Sequence, residues 1–119
     1  MARSLVAEKA SAFALRIVRL YQYLTRNPNQ KEYVMSKQVL RSGTSIGANI
    51  EEALSGQSRA DFVSKMNISL KEACETRYWL KLLHDSDYIE TDAAKSLIND
   101  CDEIIRILKS IVKTTNETR

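Results

Sequence analysis

Turn-forming residues are scarce in this chain: 119 residues hold three glycines and one proline. That leaves little material for turns, and the pattern shows helical stretches with no convincing strand. No apolar run reaches the roughly 18 residues of a membrane-spanning helix. The opening Met1-Ala2-Arg3-Ser4 runs straight into amphipathic sequence, without the apolar core of a signal peptide. Cysteine occurs twice and histidine once. Few cysteines and no secretion signal point to the reduced cytoplasm. The length suits a single domain over residues 1–119, able to bury a core without disulfides or metal.

The charge that is present is unevenly laid out. Net charge is +3. Residues 1–41 carry eight Lys/Arg against two acids, residues 42–103 six against twelve, and residues 104–119 four against one. Both sequence ends are therefore basic and the middle is acidic. In an up-down bundle the first and last helices are neighbours, so their basic residues are expected to share a surface.

Apolar periodicity marks four helices. In the first, from about Ser4 to Thr25, Val6, Ala10, Phe13, Ile17, Leu20 and Leu24 recur at helical spacing. Asn27-Pro28 reads as the start of the second, with Asn27 at the N-cap, Pro28 at the first position and Gln30 at the third. That helix is expected to run to Leu54, before a Ser55-Gly56-Gln57 turn. Ser58 caps the third, whose core seam is Phe62, Met66, Leu70 (or Ser69), Ala73, Arg77 and Leu80. A second seam beside it holds Ile68, Glu72, Glu75, Trp79 and Leu82. Thr91 caps the fourth helix, with Leu97, Cys101, Ile104, Leu108 and Ile111 as one stripe and Ile98, Ile105 and Val112 as another. The polar tail 114–119 reads as frayed. Short connections between such helices imply an all-α, antiparallel up-down-up-down four-helix bundle.

Antiparallel folding also sets heights. Pivoting about Gln57 brings Arg41 level with Ala73, beside Glu72, and Ser45 opposite Ser69. Pivoting about Tyr88 brings Cys74 level with Asp102, beside Cys101. Both cysteines read as buried free thiols. A disulfide between them is allowed by height but not expected in the cytoplasm.

The segment from Arg41 to Ala53 departs from the rest, because it places two of the three glycines inside an apolar helical pattern. A glycine there costs about 1 kcal/mol relative to alanine. Gly43 and Gly47 share the apolar face with Val39, Ile46 and Ile50, so they read as sites of close helix approach. A phosphate-binding loop is excluded: no strand precedes these glycines and no Lys-Ser/Thr follows them. Gln38, Arg41, Ser45, Asn49 and Glu52 form a polar stripe on the other side. It has three readings: a solvated face, a network at a helix or subunit contact with Arg41 paired to Glu72 or Glu75, or contact of Arg41 with RNA phosphate.

Basic arcs lie on the outer helices. Lys9, Arg16, Arg19 and Arg26 share one arc of the first helix; Lys95, Arg106, Lys109 and Lys113 share one on the fourth. A solvated face is the default reading and nucleic-acid phosphate contact the functional one, because clustered cations release counterions. Tyr21, Tyr23 and Tyr33 fit base stacking or packing equally well. Catalytic signals are poor. His84, at the end of the third helix, reads as a helix-end cap rather than a base. No His/Cys/Asp cluster has metal-ligand spacing, and the carboxylate pairs Glu51-Glu52 and Glu72/Glu75 lack the Glu-x-x-His of di-iron bundles.

The run Leu40-Arg41-Ser42-Gly43-Thr44-Ser45-Ile46-Gly47-Ala48-Asn49-Ile50-Glu51-Glu52-Ala53, followed by Lys71-Glu72-Ala73 and Glu75-Thr76-Arg77-Tyr78-Trp79-Leu80, resembles a bacterial signature. It is that of the four-helix-bundle proteins encoded in intervening sequences of 23S ribosomal RNA genes, once labelled S23 ribosomal proteins. The accessory variability protein of diversity-generating retroelements is related to them. The resemblance covers about Ala7 to Val112 and rests on Arg41, Ser45, Ile46, Asn49, Ile50, Glu52, Glu72 and Glu75. It implies a ring-like homopentamer that presents basic surfaces to nucleic acid, and it brings no catalytic residues. Many relatives have Glu-Gly where this chain has Glu52-Ala53, which bears on the turn between the second and third helices.

The sequence therefore leads to a non-enzymatic, cytoplasmic homo-oligomer without cofactor, metal, membrane or small-molecule substrate. Structured RNA is its expected partner, through Lys9, Arg16, Arg19, Arg26, Lys95, Arg106, Lys109 and Lys113. Arg41, Gly43, Ser45, Gly47, Asn49, Glu52, Glu72, Glu75 and Trp79 are its expected assembly network. The competing expectation is a protein-interaction scaffold that uses the second seam of the third helix.

Overall fold

The computed structural model describes residues 1–117. Four helices account for nearly all of them: α1 (Ala2–Arg26), α2 (Met35–Leu54), α3 (Arg59–Asp85) and α4 (Thr91–Glu117). Each helix packs on two neighbours, in the ring α1–α2–α3–α4–α1. The resulting rod measures 53 × 22 × 19 Å. Cross-helix contacts run in opposite senses along each pair. On α2 and α3, Arg41 meets Glu72 and Glu52 meets Lys65. On α1 and α4, Lys9 meets Glu103 and Arg16 meets Asp100. No helix among the described residues is long and apolar enough to cross a membrane.

The α1 seam Val6, Ala10, Phe13, Ile17, Leu20 and Leu24 is buried, as is the α4 stripe Leu97, Cys101, Ile104, Leu108 and Ile111. On α3 the core takes Ser69, the alternative to Leu70 in the expected seam, and contains Thr76 in place of Arg77. The reason is hydrogen bonding. Ser69 donates to the Ile46 carbonyl at 2.9 Å, and Thr76 Oγ1 lies 2.8 Å from Ser42 Oγ. A satisfied hydroxyl costs little to bury, and its small size lets α2 and α3 approach. Arg77 turns sideways to Asp102 at 2.6 Å instead.

The start of α2 differs from the sequence reading. Residues 27–34 stay irregular and the helix begins at Met35. The Asn27 side chain accepts from Asn29 N at 3.0 Å, a local turn that competes with helix. Glu32 does the capping: its carboxylate accepts from Val34 N and Ser36 N at 3.0 and 2.6 Å, while its own N–H donates to Leu24 O at 2.8 Å. Pro28 and Gln30 therefore lie in a strap along the end of α1.

The other connections follow expectation more closely. α2 runs to Leu54, and Ser58 Oγ accepts from Asp61 N at 3.0 Å at the start of α3. In the α3–α4 turn Asp87 adopts φ 68°, a left-handed conformation that a short polar side chain tolerates. The tail expected to fray from Thr114 is helical through Glu117. α4 continues to Glu117 with Thr115 buried, because its hydroxyl bonds the Ile111 carbonyl at 2.7 Å. Thr118 and Arg119 lie outside the described residues. Both cysteines are free, but Cys74 is exposed rather than buried. Cys101 donates to Ala73 O at 3.2 Å, and burial pushes its thiol up to about 12.

Candidate assembly network and nucleic-acid interface

The polar stripe of α2 lies along the groove beside α3. Arg41 donates to Glu72 Oε2 at 3.1 Å and also bonds Glu75. This is the pairing that antiparallel register predicts. Glu75 additionally accepts from the Trp79 indole N–H at 3.0 Å. The indole bond, together with Arg41, holds the Glu75 carboxyl below its ordinary range. The Glu75 hydrogen bond in turn raises the Arg41 guanidinium. Glu52 reaches back across the groove to Lys65 at 3.0 Å. Ser45 and Asn49 do not cross it: Ser45 donates to Arg41 O and Asn49 to Ser45 O, at 2.7 and 2.8 Å on their own helix. The stripe is thus two cross-helix clamps joined by two self-bonded residues.

The glycines face α1. A Cβ on Gly43 would stand 2.8 Å from Ile17 Cγ2, closer than carbon atoms tolerate. One on Gly47 would meet Ala10 at 3.6 Å, which is ordinary contact. Gly43 is therefore the position where α1 demands a missing side chain. Gly47 lies against the Ala10 backbone with a little room to spare.

The basic arcs of α1 and α4 do not merge. Lys9 pairs with Glu103 at 3.1 Å, and Arg16 with Asp100 at 2.6 Å and Ser96 at 3.0 Å. The flank of α4 that faces α1 is thus acidic and neutralises two of the four α1 cations. Arg19 and Arg26 stay exposed further out. Lys95, Arg106, Lys109 and Lys113 are exposed, with no ion pair among the described residues. They lie within about 40° of Asp102 around the helix, at about 100° per residue. Asp102 is bonded to Arg77, so this arc borders α3 rather than α1.

Three contributors were missed in the sequence. Ser42 and Thr76 fall in no seam, and about the Gln57 pivot they differ in height by four residues, so register alone does not pair them. Lys81 follows Arg77 by one helical turn on the face beside α4, and it belongs to no seam. His84 ties the two ends of its turn together, with ring nitrogens 3.1 Å from Thr91 Oγ1 and Asp85 Oδ1. No group of three or more His, Cys, Asp or Glu among the described residues is placed to hold a metal.

The comparisons agree with this architecture. Among curated proteins, none matches the chain. A solved structure from Bacteroides thetaiotaomicron VPI-5482, described as a protein of unknown function from the S23 ribosomal protein family, is 53% identical. The match covers 95% of this chain and 99% of that one, with a TM-score of 0.91. The family model for the 23S rRNA-intervening sequence protein matches residues 3–110, a span that includes the Arg41 clamp, both core glycines and the α4 arc as far as Lys109. On that match, this four-helix chain belongs to the 23S rRNA-intervening sequence protein family.

Proposed function

We propose that this protein is a non-enzymatic, cytoplasmic homo-oligomer, a pentamer by its family resemblance, that binds structured RNA. The observation that carries the reading is the α4 arc of Lys95, Arg106, Lys109 and Lys113: four exposed cations on one stripe with no acid partner among the described residues. Such a stripe exchanges condensed counterions for its own charges when phosphate arrives. Repeating it around an oligomer would sum weak fields into a strong one. Side chains such as Leu15 and Tyr23 on α1, and Ile68 and Tyr78 on α3, are 40–58% exposed and favour further burial between copies. Three of the carboxylates singled out in the sequence are engaged, Glu72 and Glu75 by Arg41 and Glu52 by Lys65.

Mass measurement in solution tests the assembly. Electrophoretic titration with structured RNA at about 50 and about 200 mM salt tests the binding. Binding that weakens steeply with salt supports the proposal; no shift at the lower salt overturns it. The exposed pair Ile68 and Tyr78 on α3 favours a second reading, a protein scaffold that binds no nucleic acid. A partner captured by these residues, from a protein that ignores RNA, would establish it.

A further inference from the structure

Exposed cations such as Arg19, Arg26, Lys31, Lys37 and Lys71 lie elsewhere on the surface, but five others share one flank. Lys95, Arg106, Lys109 and Lys113 run along one line of α4, and Lys81 of α3 stands beside that line, one turn on from Arg77. The Arg77–Asp102 bond at 2.6 Å fixes both helices at this flank. It also neutralises the acid within the line. From Lys95 to Lys113 the line spans about 27 Å, at about 1.5 Å per residue. The carboxylates of α4 that balance charge elsewhere, Asp100 and Glu103, are turned to α1. Of the α3 carboxylates, Glu72 and Glu75 are turned to α2, and Asp85 at the helix end is bonded to His84.

The α4 line carries no aromatic residue, since α4 contains none, and Tyr78, three residues before Lys81 on α3, borders only that end. Tyr23 is on α1 and Tyr33 on the strap before α2. Tyr78 lies edge-on to Trp79, ring centroids 5.4 Å apart, and Trp79 is bonded to Glu75 on the α2 side. Single-stranded nucleic acid is held by basic grooves that carry aromatic platforms for its bases. Double-stranded RNA is recognised by shape and by backbone contacts.

We propose that Lys81, Lys95, Arg106, Lys109 and Lys113 form a straight rail, along the α3–α4 flank, for the phosphate backbone of an RNA duplex. This rests on the RNA-binding reading above and narrows it to one flank and one class of RNA. Arg19 and Arg26, although exposed, lie outside the rail.

The test is fluorescence anisotropy with an RNA duplex of about 20 base pairs and with one of its strands alone, at low and moderate salt. The wild-type protein is compared with Lys81→Ala/Lys109→Ala and with Arg19→Ala/Arg26→Ala. All four positions are exposed, so the variants should keep the bundle, which circular dichroism verifies. The wild type is expected to bind the duplex about tenfold or more tightly than the strand. The rail variant should lose duplex affinity, and its salt slope should fall by about one for each lysine removed. The α1 variant should behave as wild type. Duplex and strand bound equally, or equal losses in the two variants, would overturn the rail while leaving RNA binding intact. No binding of either probe at low salt would overturn both.

Discussion

The α2–α3 seam and the α1–α4 seam join helices of the same bundle by opposite chemistry. Between α2 and α3 the polar groups are inside: Ser42, Ser69 and Thr76 are fully buried, and Ser69 bonds the backbone of α2. Between α1 and α4 they are outside: Lys9–Glu103 and Arg16–Asp100 join side chains that are 34–46% exposed. Buried hydroxyls are unforgiving, because a one-residue slip strands a donor away from water at a cost of about 1–3 kcal/mol. Exposed ion pairs slip easily and contribute about 0–1 kcal/mol each. The seam between the sequence-adjacent helices α2 and α3 therefore sets register. The seam between the sequence ends closes the bundle and disposes of charge.

The contrast breaks most visibly if the tight seam is overfilled. Ser69→Leu puts a branched side chain where a hydroxyl meets the Ile46 carbonyl, and should destabilise the fold by about 3 kcal/mol in chemical denaturation. Thr76→Val keeps the volume but removes the partner of Ser42, and should cost about 2 kcal/mol. Losses below about 0.5 kcal/mol in both would show that the hydroxyls carry no register information and that the seam is ordinary packing.

These residues also show where sequence reasoning reached and where it stopped. Helix number, the α1 and α4 cores and the Arg41–Glu72/Glu75 clamp follow from periodicity and antiparallel heights, because these depend on one repeat and one pivot. Thr76 escaped, and Ser69 stayed an alternative to Leu70, because a hydropathy pattern scores a hydroxyl as outward; only a partner on another helix makes it a core residue. The start of α2 escaped for a similar reason. Asn27-Pro28 has the local chemistry of a helix start, but Glu32 reaches two backbone N–H groups further on and wins. The α4 arc was legible but the helix it borders was not, because the heights of α1 and α4 can be read from sequence while their rotations cannot. Rotation decided that Lys9 and Arg16 face carboxylates and that the α4 arc faces α3.

Acid should sharpen the comparison by a smaller amount. The Glu75 carboxyl is held below its ordinary value of 4.5 by Trp79 and Arg41. A depressed folded value means that this contribution is full above the unfolded value. It is lost as pH falls through the folded one. Glu75→Gln removes the titrating group. The variant should lose stability at neutral pH, by under about 1 kcal/mol because the pair is partly exposed. It should then lose less than wild type between pH about 5 and about 3. Parallel pH profiles in denaturation would mean that the clamp is open in solution.

The smallest expected change is at the other seam. Asp100→Asn/Glu103→Gln cuts both ion pairs to α1 yet should alter stability by under about 1 kcal/mol, with little dependence on which pair is removed. Its more informative readout is RNA affinity. The substitutions release Lys9 and Arg16 and remove two negative charges from α4, but on the flank turned away from the Lys95–Lys113 line. If RNA lies along α3–α4, these charges act on it only at long range. Such an effect fades beyond a Debye length of about 10 Å at 0.1 M salt. Affinity should then rise about threefold or less at about 50 mM salt, and the gain should vanish at about 200 mM. A gain that survives the higher salt, with a steeper salt slope, would mean that the freed α1 cations touch phosphate directly. The α1–α4 seam would then be a guarded binding surface rather than a charge-neutral closure, and the division of labour between the two seams would reverse.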